Sequence, residues 1–362
     1  MPPLASLGTV FGWIGCGLIG WGSQGVDAPR GTVERHLGVM GTWMRIEVEA
    51  VDRPTALLAS ERAIRAIEAT EARLSTWRDD SELARLNGTP VGEVFFLSPE
   101  TARDLRVAQG VWEATQGAFD PGIGGLVRAF GLRTGGRRPA AAELESFLEG
   151  KGLRSFELEG TRARRLHPAL TLEEGGFGKG AALDAALRAL QGAAVEHALI
   201  DLGGQVALYG ERVLALELAD PRDRARPVLR LEIRSGSFST SGNAERAVTV
   251  ESERISHILD PRTARPARDF GSLSVLASDA TTADALSTGL YVLGPDDALA
   301  WTREHPPIEC LVLEVALGGL RARASTGWRG KLVALVDDLE IIYSPPSGTP
   351  LEADGTTPVE NP

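Results

Sequence analysis

GGFGKGAALDAALRALQGAAVEHALIDLGGQVALYG, residues 175–210, runs from a glycine-rich turn into a helix, then through a strand, a second turn and another strand. Upstream, VMGTWMRIEVEA alternates well enough to predict a strand from Trp43 to Val48. PTALLASERAIRAIEATEARLS repeats apolar residues at helical spacing and is free of Gly and Pro from Thr55 onward. Ser98 followed by Pro99 starts a second helix that Gly117 stops. GLRTGGRRPAA reads as an exposed loop before the short helix AAELESFLEG. Downstream, VLALELA, VLRLEI, SFSTSG and GSLSVLAS are short apolar runs of strand length. Short strands interrupted by a few long helices predict an α+β protein rather than a repeating parallel unit.

The chain of 362 residues, 43% of them hydrophobic, can bury a substantial core. Its 49 acidic against 38 basic residues leave a formal charge of -11, which opposes a phosphate backbone and argues against nucleic acid. Cys16 and Cys310 stand too far apart for a metal-binding spacing. Residues 1–25 carry no charged side chain and are largely apolar, which suits an export signal, a bacterial lipoprotein signal in which WIGC ends at Cys16, or a disordered leader. We therefore expect a leader over 1–30, one domain over 31–343 and a disordered tail over 344–362. TRARRL and DPRDRARPVLR suit either solvated loops or a docking surface for an acidic partner.

Several segments carry groups suited to chemistry. In SDATTADALSTGLYVLG, Asp279 or Ser278 can cap a helix on which Asp284 and Thr288 lie one turn apart. That pair suits a Mg²⁺ ion that keeps water or phosphate as its other ligands, and equally suits a buried Asp–Thr hydrogen bond. EEGGFGKGAALD opens a helix with four glycines and Lys179, able to receive phosphate on backbone N–H groups, to offer a carbonyl to a cation, or simply to turn tightly. It is not a Walker A loop, since Gly180 follows Lys179 where a hydroxyl is required. SFSTSGNAER supplies Ser241, Asn243 and the planar fork of Arg246. Trp77, after the first helix, suits stacking on a planar ring but is read first as a core residue. Asp120 sits before Pro among glycines, in a turn that can aim backbone groups at a ligand. His257 lies in ERISHILDPRT between an Arg-bearing loop and an Asp-Pro turn.

Taken together, VMGT, LSTWRDDSELARLN, GAFDPGIGGLV, GGFGKGAALD, LIDLGGQVALYG, STSGNAER, HILDP and ADALSTG resemble, in this order, the recurring motifs of the ApbE family of FAD:protein FMN transferases, over about 39–294. The resemblance implies an α+β body of internally related halves, with mixed or antiparallel sheets and packed helices around an FAD cleft. It places Met40 and Trp77 near the flavin or adenine, with Trp77 standing where the family commonly has Tyr. It puts Asp120, Lys179, Ser241, Asn243 and Arg246 in the pocket, and it makes Asp284 and Thr288 metal ligands beside a backbone carbonyl, here that of Gly178 where the family has Ala. Mg²⁺ is then the cofactor and FAD the substrate. A Ser or Thr hydroxyl of an acceptor protein attacks the riboflavin-side phosphorus, AMP leaves, and His257 serves as general base. The family further implies an exported enzyme acting on subunits of membrane redox complexes. Two alternatives share the site: hydrolysis of FAD to FMN and AMP, and a flavin carrier without turnover.

Overall fold

The computed structural model describes residues 31–345 except 151, 244–247, 251–252 and 317–318. The leader, Arg246 and nearly all of the expected tail therefore lie outside the described residues. Among those described, no helix is long and apolar enough to cross a membrane.

A nine-stranded sheet forms the centre, and its strands lie side by side in chain order: Thr32–Val39, Thr42–Ala50, Val195–Leu202, Gln205–Tyr209, Gly236–Gly242, Gly271–Ala277, Glu309–Ala316, Gly319–Ala324 and Leu339–Tyr343. Neighbours are antiparallel except the last pair, which is parallel. Period-two patterning gives the sheet two apolar faces. In Val195–Leu202, Ala198, Ile200 and Leu202 face one layer while Leu199 faces the other. Cys310 and Val312 likewise oppose Leu311 and Leu313.

Helices cover the first face. α1 (Arg53–Leu74) begins where the Asp52 side chain accepts from the Thr55 amide, and it buries Ala56, Ala59, Ala63, Ile64 and Ile67. The short α2 (Glu82–Gly88), capped by Ser81, was not expected from the sequence. α3 (Pro99–Ala114) starts at Ser98 as its capping signal predicts. α4 (Gly124–Ala129) and α5 (Ala141–Gly150) contribute Leu126 and Phe147 to a separate small cluster with Leu259 and Ala264. α6 (Gly178–Leu190) follows the glycine-rich turn, and α7 (Ala280–Leu293), capped by Asp279, is buried along most of its length. α8 (Pro295–Glu304) follows at once. The opposite face is covered by a three-stranded sheet of Leu214–Asp220, Asp223–Ile233 and Leu332–Ala334, which packs Leu216, Leu218, Val228 and Leu231 against Val206, Phe238 and Leu313. TRARRL is not a solvated loop: it contains the strand Arg162–Arg165, and Arg165 is buried with its guanidinium donating to the carbonyls of Leu170, Thr89 and Pro168.

Candidate active site

α6 and α7 meet at their first turns, and each sends a carboxylate into the other's free amides. Asp184 of α6 accepts from Ala280 N (2.8 Å) and Thr281 N (2.9 Å). Asp284 of α7 accepts from Gly180 N (3.0 Å). The approach needs glycine, since a Cβ on Gly180 would stand 2.2 Å from the Ala280 carbonyl oxygen. Beside this junction lies a cavity of about 340 Å³, lined among others by Trp77, Asp120, Lys179, Ser241, His257, Asp284 and Thr288. Seven of the residues expected in a site, spread over more than 200 positions, thus border one space.

Asp284 is 4% exposed and also accepts from Lys179 Nζ at 3.3 Å. Thr288 Oγ1 lies 3.4 Å from the Asp284 carbonyl oxygen and 3.4 Å from Ser241 Oγ, and Ser241 in turn is 2.9 Å from Ser287 Oγ. Among the described residues no cluster of three His, Cys, Asp or Glu side chains is placed to hold a metal. The donor set is instead a carboxylate and a hydroxyl on one helical turn, hard oxygens of the kind Mg²⁺ takes while keeping other positions for water or phosphate. The ammonium of Lys179 already rests on that carboxylate, so the position accommodates positive charge. Gly178, the first residue of α6, and Met40 do not border the cavity. They adjoin each other, the Met40 methyl lying 3.8 Å from where a Gly178 Cβ would be. Met40 has a left-handed φ of 52° in the two-residue turn that joins the first two strands.

Trp77 is not packed in the core: it borders the cavity while 70% exposed, and the Arg133 guanidinium lies 4.3 Å from its ring centroid, so a ring large enough for the core is held at the surface by a cation–π contact instead. Arg133 comes from the loop expected to be exposed and is itself half-buried. It donates to the Thr76 carbonyl (2.9 Å), to Thr76 Oγ1 and to Glu173. Glu173 and Glu174 are buried side by side; burial pushes the Glu173 carboxyl above its usual range, while Arg133 pulls it back. In the sequence their signal is local: two acids stand directly before a glycine-rich helix start. The DPRDRARPVLR stretch also borders the cavity through Asp220, Pro221 and Arg224.

Asp120 is buried and turned toward backbone, accepting from Gly122 N (2.6 Å) and Leu153 N (3.1 Å). Asn243 does not border the cavity. It is 2% exposed, donates to the Tyr291 hydroxyl at 3.0 Å and accepts from Ser256 Oγ. Ser256 in turn bonds the Ile258 carbonyl (2.9 Å) and amide (3.0 Å), so this chain of contacts shapes the turn that carries half-buried His257 into the cavity. Arg246 lies outside the described residues.

Comparison with known proteins gives one family. The ApbE family pattern matches residues 40–312. The chain is 32% identical to the FAD:protein FMN transferase of Rhodobacter capsulatus, across 78% of this chain and only 55% of that protein. It is 31% identical to the FAD:protein FMN transferase of Treponema pallidum, across 88% of this chain and 93% of that one. The flavin transferase ApbE of Vibrio cholerae superposes with a TM-score of 0.71 at 27% identity, covering 84% of this chain and all of that one. The ApbE protein of Thermotoga maritima gives 0.71 at 29% identity, covering 78% and 94%.

Proposed function

The chain belongs to the ApbE family, and from that premise we infer that it is an FAD:protein FMN transferase, moving the FMN half of FAD onto a Ser or Thr hydroxyl of an acceptor protein with release of AMP. The observation that carries this reading is the convergence of Asp284, Thr288, Lys179 and His257 on one cavity.

Asp284 and Thr288, which border the cavity, are the residues that would hold Mg²⁺, and the ion would supply neutralisation of pyrophosphate charge. The protein's own groups do the rest. Lys179 offers a cation beside Asp284 to an anionic oxygen. His257 takes the proton from the attacking hydroxyl as its oxygen bonds to the riboflavin-side phosphorus and the P–O bond to AMP breaks. Asn243, acting through Ser256, keeps the His257 turn in register. Phe119, Ile123, Leu218 and Ile258 give the cavity apolar walls, which disfavour water as the competing nucleophile.

The decisive experiment is mass spectrometry of a Ser/Thr-bearing acceptor domain after incubation with the full chain, FAD and Mg²⁺. An acceptor adduct of one FMN phosphoester is expected, with AMP released in equal amount and both lost in Asp284→Ala or with a chelator. Free FMN and AMP without adduct would assign hydrolysis instead, and intact bound FAD would assign a carrier. The uncharged apolar stretch over 1–25 favours an enzyme exported to the outer side of the cytoplasmic membrane, facing acceptors in redox complexes. Recovery of the full chain only in the cytoplasmic fraction would reject that placement.

A further inference from the structure

We propose that Arg133 is a positioning residue for the substrate: it fixes the Trp77 indole as a one-sided platform on which a planar heteroaromatic ring of the substrate stacks. The inference rests on the FAD reading above and assigns a task to a residue outside the recurring motifs. Arg133 holds three things at once: the Trp77 ring face, the Thr76 backbone and hydroxyl, and the Glu173 carboxylate. One side chain therefore ties the loop after α1 to the turn that enters α6, and so ties the indole to Lys179 and Asp284. Its own loop is a tight one: Gly131 takes a φ of 61°, and its carbonyl accepts from Thr134 N (2.9 Å) and Gly136 N (2.8 Å).

An indole that is 70% exposed would otherwise sample several rotamers, and ordering it would oppose binding. The guanidinium covers one face by a cation–π contact, and with the residue still 70% exposed where it borders the cavity, ring surface stays open to a ligand. A lysine would keep the charge toward Glu173 but not the planar fork that spans three partners. A simple brace between loops and a platform support thus respond differently to the conservative exchange.

The test titrates the full chain, without Mg²⁺ or acceptor, with FAD, riboflavin and AMP, following ligand affinity and the quenching of flavin emission. Arg133→Ala and Arg133→Lys should each raise the Kd for FAD about tenfold and diminish quenching, with KM for FAD in the transfer assay rising similarly and kcat changing by less than about twofold. In a Trp77→Ala background the Arg133→Ala effect should shrink to less than about twofold, because the platform it serves is gone. Whichever of riboflavin and AMP loses affinity identifies the stacked ring. Wild-type Kd and quenching in Arg133→Lys, or an undiminished Arg133→Ala effect without Trp77, would overturn the platform and leave only a loop brace. Unchanged riboflavin and AMP affinities would do the same. Failure of the wild-type chain to bind FAD even when Mg²⁺ is added would instead overturn the transferase reading, and this inference with it.

Discussion

At the scale of single residues, Asp120 has a charge that its surroundings oppose and a position that they require. Burial pushes its pKa from 3.8 up to about 6, although the amides of Leu153 and Gly122 pull the other way. Gly152 makes room for it, with a φ of 52° and a Cβ position 2.0 Å from Oδ2 that no side chain could share. Because the folded pKa is the raised one, the native state binds more protons than the unfolded chain between pH 3.8 and about 6. That contribution is fully present below pH 3.8 and is lost as pH rises through about 6; it amounts to about 3 kcal/mol. Asp120→Asn keeps one acceptor oxygen and removes the titration, so urea unfolding measured from pH 4 to 7 should lose that part of its slope. A slope identical to wild type would place the titration elsewhere. The sequence revealed Asp120 through its glycine-rich company, but Gly152 and Leu153, more than 30 positions away, gave no sign of being its partners. Trp77 failed in the opposite direction: its size argued for the core, and nothing local told that an arginine 56 positions later would cover its face.

At the scale of elements, the active-site geometry depends on how closely α6 and α7 cross, and two glycines two residues apart separate that demand from mere flexibility. At Gly180 a methyl group would meet the Ala280 carbonyl oxygen at 2.2 Å, a backbone atom that cannot move without α7. At Gly178 it would meet Glu174 Cβ and Cγ at 3.1 and 3.2 Å, which requires a shift of a few tenths of an ångström in one side chain. Gly180→Ala should therefore cost about 1–3 kcal/mol and weaken FAD binding by parting Asp284 from the start of α6. Gly178→Ala should stay within about 1 kcal/mol of wild type and retain activity. Equal losses in denaturant midpoint for the two variants would show that the crossing is not the constraint. Helix starts were legible because capping is local: Ser98, Asp279 and the glycine turn before Lys179 each mark one. The reciprocal contacts of Asp184 and Asp284 were not, because each carboxylate caps a helix about 100 positions away. α2 escaped notice because seven residues hold too few apolar repeats to establish a period.

At the scale of the whole molecule, one sheet holds both outer layers, and the cavity borders both: α6 and α7 from the helical layer, and the Leu218–Pro221 hairpin tip from the small sheet. Alternating strands made an α+β body legible, whereas the order of nine strands did not follow from any of them, since pairing partners such as Gly236–Gly242 and Gly271–Ala277 are separated by intervening chain. Opening the site by peeling off either layer would expose the sheet beneath it, so ligand binding should protect the core as a unit. Cys310 reports on that core. It lies in Glu309–Ala316 between two antiparallel neighbours, is fully buried on the helical face, and burial pushes its thiol up to about 12. A disulfide reagent at about pH 8 then finds neither thiolate nor access until the sheet opens. In a Cys16→Ser chain, the rate of Cys310 labelling should rise with urea in parallel with global unfolding. FAD at about 100 times its Kd should slow it roughly 100-fold, the effect of about 2.7 kcal/mol of added native stability. Rapid labelling in native buffer, unaffected by FAD, would mean that the helical layer lifts from the sheet independently of the site, and the coupling between layers and cavity would have to be abandoned.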